Sequence, residues 1–311
     1  MKFKNWTLMI LSVAILTLLG FGLSSCGGGG SGGTTKYYTG STSLGSSASF
    51  SVDEAAGVIN YNIAGVDGKI NGVGKSSCLN SLYYYTDNNS SEPTYAYFSN
   101  VVGTMKTNNK ILVGFTNAYQ PIPEGEYTYI DKDGDFHTLS VTYTTDDEGY
   151  TITTTRLDGA PVQDDLVKYS NGMVIVEKTG MGMGVRDGNG IDSIESLNGK
   201  TFDFFISSNM LSSFGKINIT DTDETEATGS CKKTSSCSTT GAMSNCINND
   251  ASITPIDGRP GWFKMKIDSS SYTVFISRSG YFMGVGSFGS VIVGKVYWLK
   301  NEQKDCLPYR R

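Results

Sequence analysis

Residues 125–144 (GEYTYIDKDGDFHTLSVTYT) carry the clearest fold signal in this chain. Apolar and polar residues alternate on both sides of segment 131–135, which is rich in the turn formers Asp and Gly. A second polar segment, 146–149, leads into further alternation at 150–156. Short alternating runs separated by Asp-Gly turns predict an antiparallel meander of β-strands.

A sequence repeat extends outward from this meander. The stretch VIVEKTGMGMGV at 174–185 recurs as VFISRSGYFMGV at 274–285, with five identical positions. Within the hairpin stretch itself, FHTLSVTYT at 136–144 matches FGKINITDT at 214–222, in the same order along the chain. Matches that keep their order predict two related meander units.

A third pair of segments supports the repeat, because a glycine followed by alternating aromatic residues precedes each copy. These residues are Gly125, Tyr127 and Tyr129 in one copy and Gly199, Phe202 and Phe204 in the other. We therefore expect residues 125–185 and 199–285 to form two copies of one meander. Val174 and Val274 should then occupy equivalent strand positions.

The composition of the whole chain favours an all-β fold. Strand-forming Tyr, Thr, Val, Ile and Phe are plentiful, glycines outnumber prolines 38 to 7, and no long helical periodicity follows residue 26. We predict antiparallel meanders that form β-sandwich or barrel-like units, with an internal tandem repeat. The expected division is an N-terminal unit at 47–190 and a C-terminal unit at 191–311, which carries a polar, cysteine-containing insertion at 221–260.

The start of the chain indicates export. Lys2 and Lys4 precede the uncharged apolar run 6–23, a layout typical of a secretory signal peptide. An uncleaved membrane helix is the alternative, since about 18 apolar residues can span a bilayer. Leu-Ser-Ser-Cys at 23–26 follows the run directly and resembles the lipobox of bacterial lipoproteins. The resemblance covers only residues 1–26.

The lipoprotein resemblance implies that residues 1–25 are a signal peptide and that Cys26 becomes the lipidated first residue. Several acyl chains on one residue give stable membrane anchoring. In bacterial lipoproteins an aspartate directly after the lipidated cysteine is associated with retention in the inner membrane. Residue 27 is glycine, so the resemblance implies the outer membrane and leaves open whether the protein faces the periplasm or the cell surface. We interpret 26–46 as a lipidated Gly/Ser tether, because GGGGSGGTT at 27–35 offers no apolar surface to bury.

Charge and motifs exclude several functions. Without residues 1–25 the chain has 23 basic and 30 acidic residues, which argues against a nucleic-acid partner. The segment 284–289 fits the pattern G-x-G-x-x-G, but a strand rather than a helix is expected after it, so we interpret it as a turn. We predict no cofactor.

The cysteines predict disulfides, because an exported chain enters an oxidising compartment. With Cys26 carrying lipid, the candidates are Cys78, Cys231, Cys237, Cys246 and Cys306. We expect at least one bond within the three cysteines of the insertion, with the connectivity left open. Three cysteines without a nearby histidine make a zinc site the weaker alternative.

Two candidate sites lie in the hairpin stretch. Asp131, Asp133 and Asp135 are a weak calcium candidate, because an EF-hand loop places its glycine sixth and a glutamate twelfth. Here the glycine is fourth, so we predict a turn and no metal. His137 is the only histidine, and no G-x-S-x-G elbow accompanies any serine, so we assign no catalytic residue.

The function predicted is that of a lipid-anchored, non-enzymatic envelope protein with a binding, adhesion or structural role. Its partners would be the membrane, through the lipid, and a protein or glycan. Tyrosines 83–85, 95 and 97 are candidates for a stacking platform, or else ordinary strand residues. The alternatives are an envelope enzyme that acts on polysaccharide through paired carboxylates, and a lipocalin-like carrier of a small ligand.

Overall fold

A computed structural model describes residues 35–86, 93–118, 122–146, 148–149, 151–178, 180–209, 211–237 and 244–298. Its secondary structure consists of antiparallel β-strands and three short 3-10 turns, which confirms the all-β prediction. The 3-10 turns are Asp164–Leu166, Ile194–Leu197 and Ser287–Gly289. Within the described ranges, no helix has the length and apolar character needed to span a bilayer. The predicted signal peptide and Cys26 lie outside the described residues.

The first sheet has nine strands in the order β4-β3-β2-β1-β9-β8-β7-β6-β5. Its last strand returns to pair with its first, and the sheet is open between β4 and β5. The strands are β1 (Lys36–Thr42), β2 (Ser47–Asp53), β3 (Val58–Ile63), β4 (Val66–Asn71), β5 (Gly74–Lys75), β6 (Leu82–Thr86), β7 (Pro93–Phe98), β8 (Val102–Thr107) and β9 (Lys110–Phe115).

The second sheet has seven strands in the order β13-β12-β11-β10-β16-β15-β14. Again the last strand pairs with the first, and the sheet is open between β13 and β14. The strands are β10 (Gly125–Ile130), β11 (Phe136–Thr145), β12 (Thr151–Leu157), β13 (Ala160–Val162), β14 (Val167–Ser170), β15 (Met173–Glu177) and β16 (Met181–Arg186).

The remaining eight strands form a closed barrel, in which each strand pairs with the next and β24 pairs with β17. The strands are β17 (Thr201–Ser207), β18 (Ser212–Thr222), β19 (Ala227–Thr234), β20 (Ser244–Pro255), β21 (Trp262–Ile267), β22 (Ser270–Ile276), β23 (Tyr281–Gly286) and β24 (Val291–Tyr297).

A glycine at the same place in the last strand relates all three sheets. Gly114 in β9, Gly184 in β16 and Gly294 in β24 each lie between a residue of the first strand and one of the penultimate strand. A Cβ at Gly294 would lie 2.4 Å from Cζ of Phe282, and one at Gly114 would lie 3.1 Å from Cε1 of Phe50. Gly114 and Gly294 therefore make room for an aromatic ring, and the chain has three related sheets where the sequence predicted two units.

The predicted repeat holds for individual hairpins, but the two predicted units do not match strand for strand. Val174 pairs with Gly184 and Val274 pairs with Gly284, so both valines occupy the same position in their hairpins. The registers of the β10–β11 and β17–β18 hairpins also correspond. The strand order differs, because β16 pairs with the first strand of its sheet, whereas β24 separates β23 from β17. The stretch 174–185 therefore lies in the last two strands of its sheet, β15 and β16. The matching stretch 274–285 lies in β22 and β23, the two strands before the last strand of the barrel.

The expected domain division differs from the structure in two places. The segment 26–46, interpreted as a tether, includes strand β1, because Tyr38 is buried and stacks on Phe50 at a centroid distance of 5.1 Å. The unit expected at 47–190 contains the rest of the first sheet and the whole second sheet.

The insertion at 221–260 is part of the barrel wall rather than a polar excursion. Ala227, Cys231 and Ile253 of β19 and β20 are buried in the barrel core. Their small or isolated apolar side chains alternate with polar residues that face outward, which is why the segment reads as polar.

Each sheet has its own core, and a further core is shared among the three. The last strands supply alternate residues to the shared core, while the residues between them face their own sheet. The shared residues are Ile111 and Val113 of β9, Met181 and Met183 of β16, and Val291 and Val293 of β24.

The three sheets contact one another in a cycle through hairpin turns. A Cβ at Gly45, in the β1–β2 turn, would lie 2.1 Å from the carbonyl oxygen of Lys178 in the second sheet. Gly134, in the β10–β11 turn, lies against β23 of the barrel. Lys106 Nζ, at the end of β8, donates to the carbonyl oxygen of Asn209 in the β17–β18 turn. The same end of each sheet therefore meets the next sheet, and their turns form one surface.

Candidate binding face

We call this surface the turn face. It consists of turns 43–46, 108–109, 131–135 and 287–290, with Lys178, Gly180, Asn209 and Leu211. Two adjacent clefts open on it. The barrel cleft, at one end of the barrel, has a volume of about 1010 Å³. The axial cleft, where turns of all three sheets meet, has about 510 Å³.

Phe288 stands on the wall that separates the two clefts and lines both. Its side chain is 98% exposed, and its φ of 59° is uncommon for a bulky residue. The turn that holds it is closed by hydrogen bonds, since Gly286 N–H donates to Ser290 O at 2.8 Å. Ser290 Oγ donates to Ser287 O at 2.9 Å. The fold therefore holds a large apolar ring in water.

Two further apolar side chains flank Phe288 on the turn face. Leu44, in the β1–β2 turn, is 64% exposed and lines the axial cleft. Leu211, in the β17–β18 turn, is 68% exposed and lines the barrel cleft. Scattered exposed apolar residues are ordinary, but three around adjoining clefts make this face a candidate interaction surface.

Most of the residues that line the barrel cleft carry a hydroxyl group, set among apolar surface. Lys233 and Asp268 face each other in it, with Nζ and Oδ2 3.5 Å apart. Burial raises the pKa of the Tyr272 hydroxyl. A hydrogen bond with Ser270 lowers this pKa in part, and the nearby Asp268 carboxylate raises it further. Serines of four barrel turns and strand ends supply much of the wall, namely Ser208, Ser212, Ser235, Ser270, Ser287 and Ser290.

The inside of the barrel is filled by its own side chains. Phe202, Phe204, Ile217, Met265 and Phe282 are all fully buried there. Eight-stranded barrels have an interior that side chains can fill. The space for a ligand is therefore at the mouth of the barrel.

His137 is held between two carboxylates rather than beside a serine. Its Nδ1 lies 2.9 Å from Asp158 Oδ2, its Nε2 lies 3.5 Å from Asp131 Oδ2, and its ring stacks on Tyr129. Burial raises the pKa of both carboxyls, but hydrogen bonds from backbone amides and from His137 outweigh it and lower each pKa below 3.8. Among the described contacts, no nucleophile meets the imidazole.

The calcium candidate residues form the predicted turn. Asp131 Oδ1 accepts hydrogen bonds from the amides of Asp133 and Asp135 at 2.9 and 3.0 Å. The ammonium group of Lys132 lies 2.6 Å from Asp133 Oδ2, where it opposes a second cation. In the part of the chain that the structure describes, no three His, Cys, Asp or Glu residues are grouped to hold a metal.

Four of the five tyrosines that were candidates for a stacking platform are ordinary buried strand residues. Tyr83, Tyr85, Tyr95 and Tyr97 are buried in the cores, while Tyr84 is 44% exposed. Strand β6 alternates, so Tyr83 and Tyr85 face inward and only Tyr84 faces water.

One disulfide joins the insertion to the first sheet. Cys78 and Cys237 are bonded, with Cα atoms 6.0 Å apart and a sequence separation of 159 residues. Cys231 is also disulfide-bonded. Cys306 and the side chain of Cys246 lie outside the described residues, so a bond within the insertion stays a prediction.

Comparisons with known proteins assign no family. The chain matches no protein-family profile and no curated protein. Among solved structures, it aligns with a Helicobacter pylori beta clamp bound to a DNA ligase peptide, at 9% identity and a TM-score of 0.13, covering 93% of this chain and 98% of that one. The beta subunit of a Streptococcus pyogenes DNA polymerase aligns at 7% identity and a TM-score of 0.12, with the same coverage. Scores this low carry no argument about fold or function.

The exposed residues of the turn face were missed by sequence reasoning. Leu44 falls in the segment interpreted as a tether, Phe288 falls in the segment interpreted as a turn, and Leu211 is assigned no role. The available signal was a single large apolar residue among serines and glycines, as in Ser43-Leu44-Gly45. Such a residue has no core to enter.

Proposed function

We propose that this protein is a lipid-anchored, non-enzymatic envelope protein that binds a partner through the turn face. The observation that carries the proposal is the group of exposed apolar side chains, Leu44, Leu211 and Phe288, around two adjoining clefts. Turns held on a sheet framework are well suited to recognition, because the framework fixes loops that can vary freely.

The direction of β1 supports this arrangement. The strand begins at Lys36 and runs for seven residues toward the β1–β2 turn, a rise of about 20 Å. The turn face is therefore at the far end of β1 from the point where the N-terminal segment joins the sheet. A lipid on Cys26 would leave this face available to a partner.

The two other functions receive less support. A polysaccharide-cleaving enzyme needs two facing carboxylates, and among the described lining residues the barrel cleft has only Asp268 and the axial cleft only Asp133. Asp268 faces Lys233, and Asp133 faces Lys132. A lipocalin-like carrier needs an empty lumen, whereas the described barrel interior is packed.

The anchor is tested by labelling cells with a fatty acid and fractionating their membranes. The wild-type protein should carry label and enter the outer-membrane fraction, while Cys26→Ser should be unlabelled and either released or unprocessed. A Cys26→Ser protein that is still cleaved and membrane-bound would contradict the anchor. Protease shaving of intact cells then separates surface display from a periplasmic location.

The binding face is tested by photo-crosslinking in living cells. Benzoylphenylalanine placed at position 44, 211 or 288 should give a discrete adduct of higher mass. Position 66 is the control, because Val66 is 70% exposed on the edge strand β4 and lines neither cleft. Absence of adducts at all three positions, or equal adducts at position 66, would overturn the proposed face.

A further inference from the structure

We infer that the barrel cleft binds a neutral oligosaccharide, with Phe288 as its stacking platform. The inference rests on the proposed binding function and names the ligand class. Small-molecule sites usually measure about 300–1,000 Å³. The barrel cleft, at about 1010 Å³, therefore has room for a ligand of several rings.

The charges of the cleft select against ionic ligands. Lys233 and Asp268 are its only described charged residues, and they face each other at 3.5 Å. The side chain of Asp268 is 9% exposed and that of Lys233 is 23% exposed, so their charges largely compensate in a partly desolvated position. An anionic ligand would meet the carboxylate and a cationic ligand the ammonium group. A neutral ligand avoids both costs.

The hydroxyl groups of the cleft favour a ligand that itself carries many hydroxyls. A serine hydroxyl both donates and accepts a hydrogen bond, and its hydrogen rotates to suit the partner. Ser270, Ser287 and Ser290 line the cleft from two of its sides, and Asn209 adds an amide. A sugar ring offers the same mixed donors and acceptors around its edge. Ser290 Oγ already donates to Ser287 O, but a hydroxyl can also accept. An acyl chain would offer no hydrogen bond to the remaining donors and acceptors, which costs free energy.

The exposed ring supplies the remaining element of sugar recognition. A pyranose has a polar edge and an apolar face of C–H groups, which an aromatic ring can cover. Phe288 is 98% exposed beside the hydroxyl-lined wall, and its positive φ is fixed by the hydrogen bonds of the turn 286–290. An aromatic side chain buries much apolar area and keeps few rotatable bonds to order. The turn therefore presents the ring to one sugar face from a fixed backbone position.

The test is affinity electrophoresis of the detergent-solubilised full-length protein in native gels. The gels contain dextran, hydroxyethyl cellulose or glucomannan as neutral polymers, and alginate as the acidic polymer. At least one neutral polymer should retard the wild-type protein, with alginate giving no retardation. Phe288→Ala should weaken retardation at least tenfold, Phe288→Tyr should retain it, and Val66→Ala should match the wild type.

Three results would overturn the inference. These are no retardation by any neutral polymer, retardation by alginate alone, or unchanged retardation of Phe288→Ala. Folding of Phe288→Ala is checked by its urea-unfolding midpoint, which should match the wild type because the ring is exposed. If the neutral polymers fail while position 288 still crosslinks to a protein in cells, the ligand class is wrong and the binding face stands.

Discussion

The closed barrel and the second sheet begin with the same hairpin register but differ in closure. In the barrel, β20 extends for 12 residues and pairs with β21. In the second sheet the fourth strand, β13, has three residues with Pro161 at its centre, and it pairs only with β12. Proline lacks an amide donor, so it is tolerated at a sheet edge and ends further pairing. In the second sheet, β13 therefore ends the pairing that β20 continues in the barrel.

Closure also changes the size of the core. The barrel encloses residues from all eight strands, including Phe202, Phe204 and Phe282. The second sheet has a smaller core around Tyr127, Tyr129 and Leu139 and takes part of its burial from the shared core. We conclude that the barrel depends less than the second sheet on the shared core for its stability. The barrel also carries the barrel cleft and Phe288.

We expect the largest loss of stability from truncating an aromatic residue in the first strand of the barrel. Phe204 in β17 and Tyr129 in β10 occupy corresponding positions, so the two can be compared. Phe204→Ala should cost about 3–5 kcal/mol of unfolding free energy, because a closed barrel collapses poorly around a cavity. Tyr129→Ala should cost roughly 2–3 kcal/mol, because its ring stacks on half-exposed His137 near an open sheet. Urea unfolding measures both. A larger loss for Tyr129→Ala would contradict the role assigned to closure.

A proline in β20 should disrupt the pairing that closes the barrel. Ser252 lies in β20 and pairs with Thr228 on one side and Lys266 on the other. Ser252→Pro should cost at least about 1–3 kcal/mol, because proline inside a sheet removes a ladder hydrogen bond and leaves its acceptor unpaired.

The matched change in the second sheet is Pro161→Ser. Pro161 is exposed on an edge strand, so this change should alter stability by less than about 0.5 kcal/mol. Thermal unfolding of the two variants should therefore differ clearly. Similar losses from both would show that β13 and β20 have the same structural role.

The smallest expected effect concerns acid. The pKa values of Asp131 and Asp158 are lowered below 3.8 in the folded state, so their contribution to stability is present above that pH and is lost as the pH falls through the lowered values. Asp158→Asn should cost less than about 1 kcal/mol at pH 7, since the side chain is partly exposed. It should also flatten the loss of stability below pH 3.8.

This acid response belongs to the second sheet, because the barrel has Gly215 where the second sheet has His137. Urea midpoints at several pH values between about 2 and 6 measure it. An unchanged acid profile in Asp158→Asn would show that the carboxylates around His137 do not contribute.

The sequence predicted the regular hairpins and missed the third related sheet. The turn at 131–135 and the positions of Val174 and Val274 followed from alternation and matched letters. The first sheet shares the strand arrangement of the other two but no matched sequence stretch. Its main common residue is Gly114, and one glycine is too weak a signal to predict a related sheet. The strands β19 and β20 were missed because Ala227 and Cys231 face the core with small side chains.

The candidate site was less predictable than the fold. A lone apolar residue in a turn, such as Phe288, gains meaning only when Leu44 and Leu211 from other turns lie near it. Leu44 and Leu211 are each more than 70 positions from Phe288 in the sequence, so no local pattern reports that they line the same clefts. The tyrosines drew attention by their number, but strand alternation hides most of them.

Native-state hydrogen exchange measures the effect of barrel closure strand by strand. We expect amides of the β20–β21 ladder, around Ile253 and Met265, to exchange only through global unfolding. Amides of the edge strands β13 and β14 should exchange orders of magnitude faster. Equal protection of the two regions, or faster exchange in β20–β21, would contradict the account.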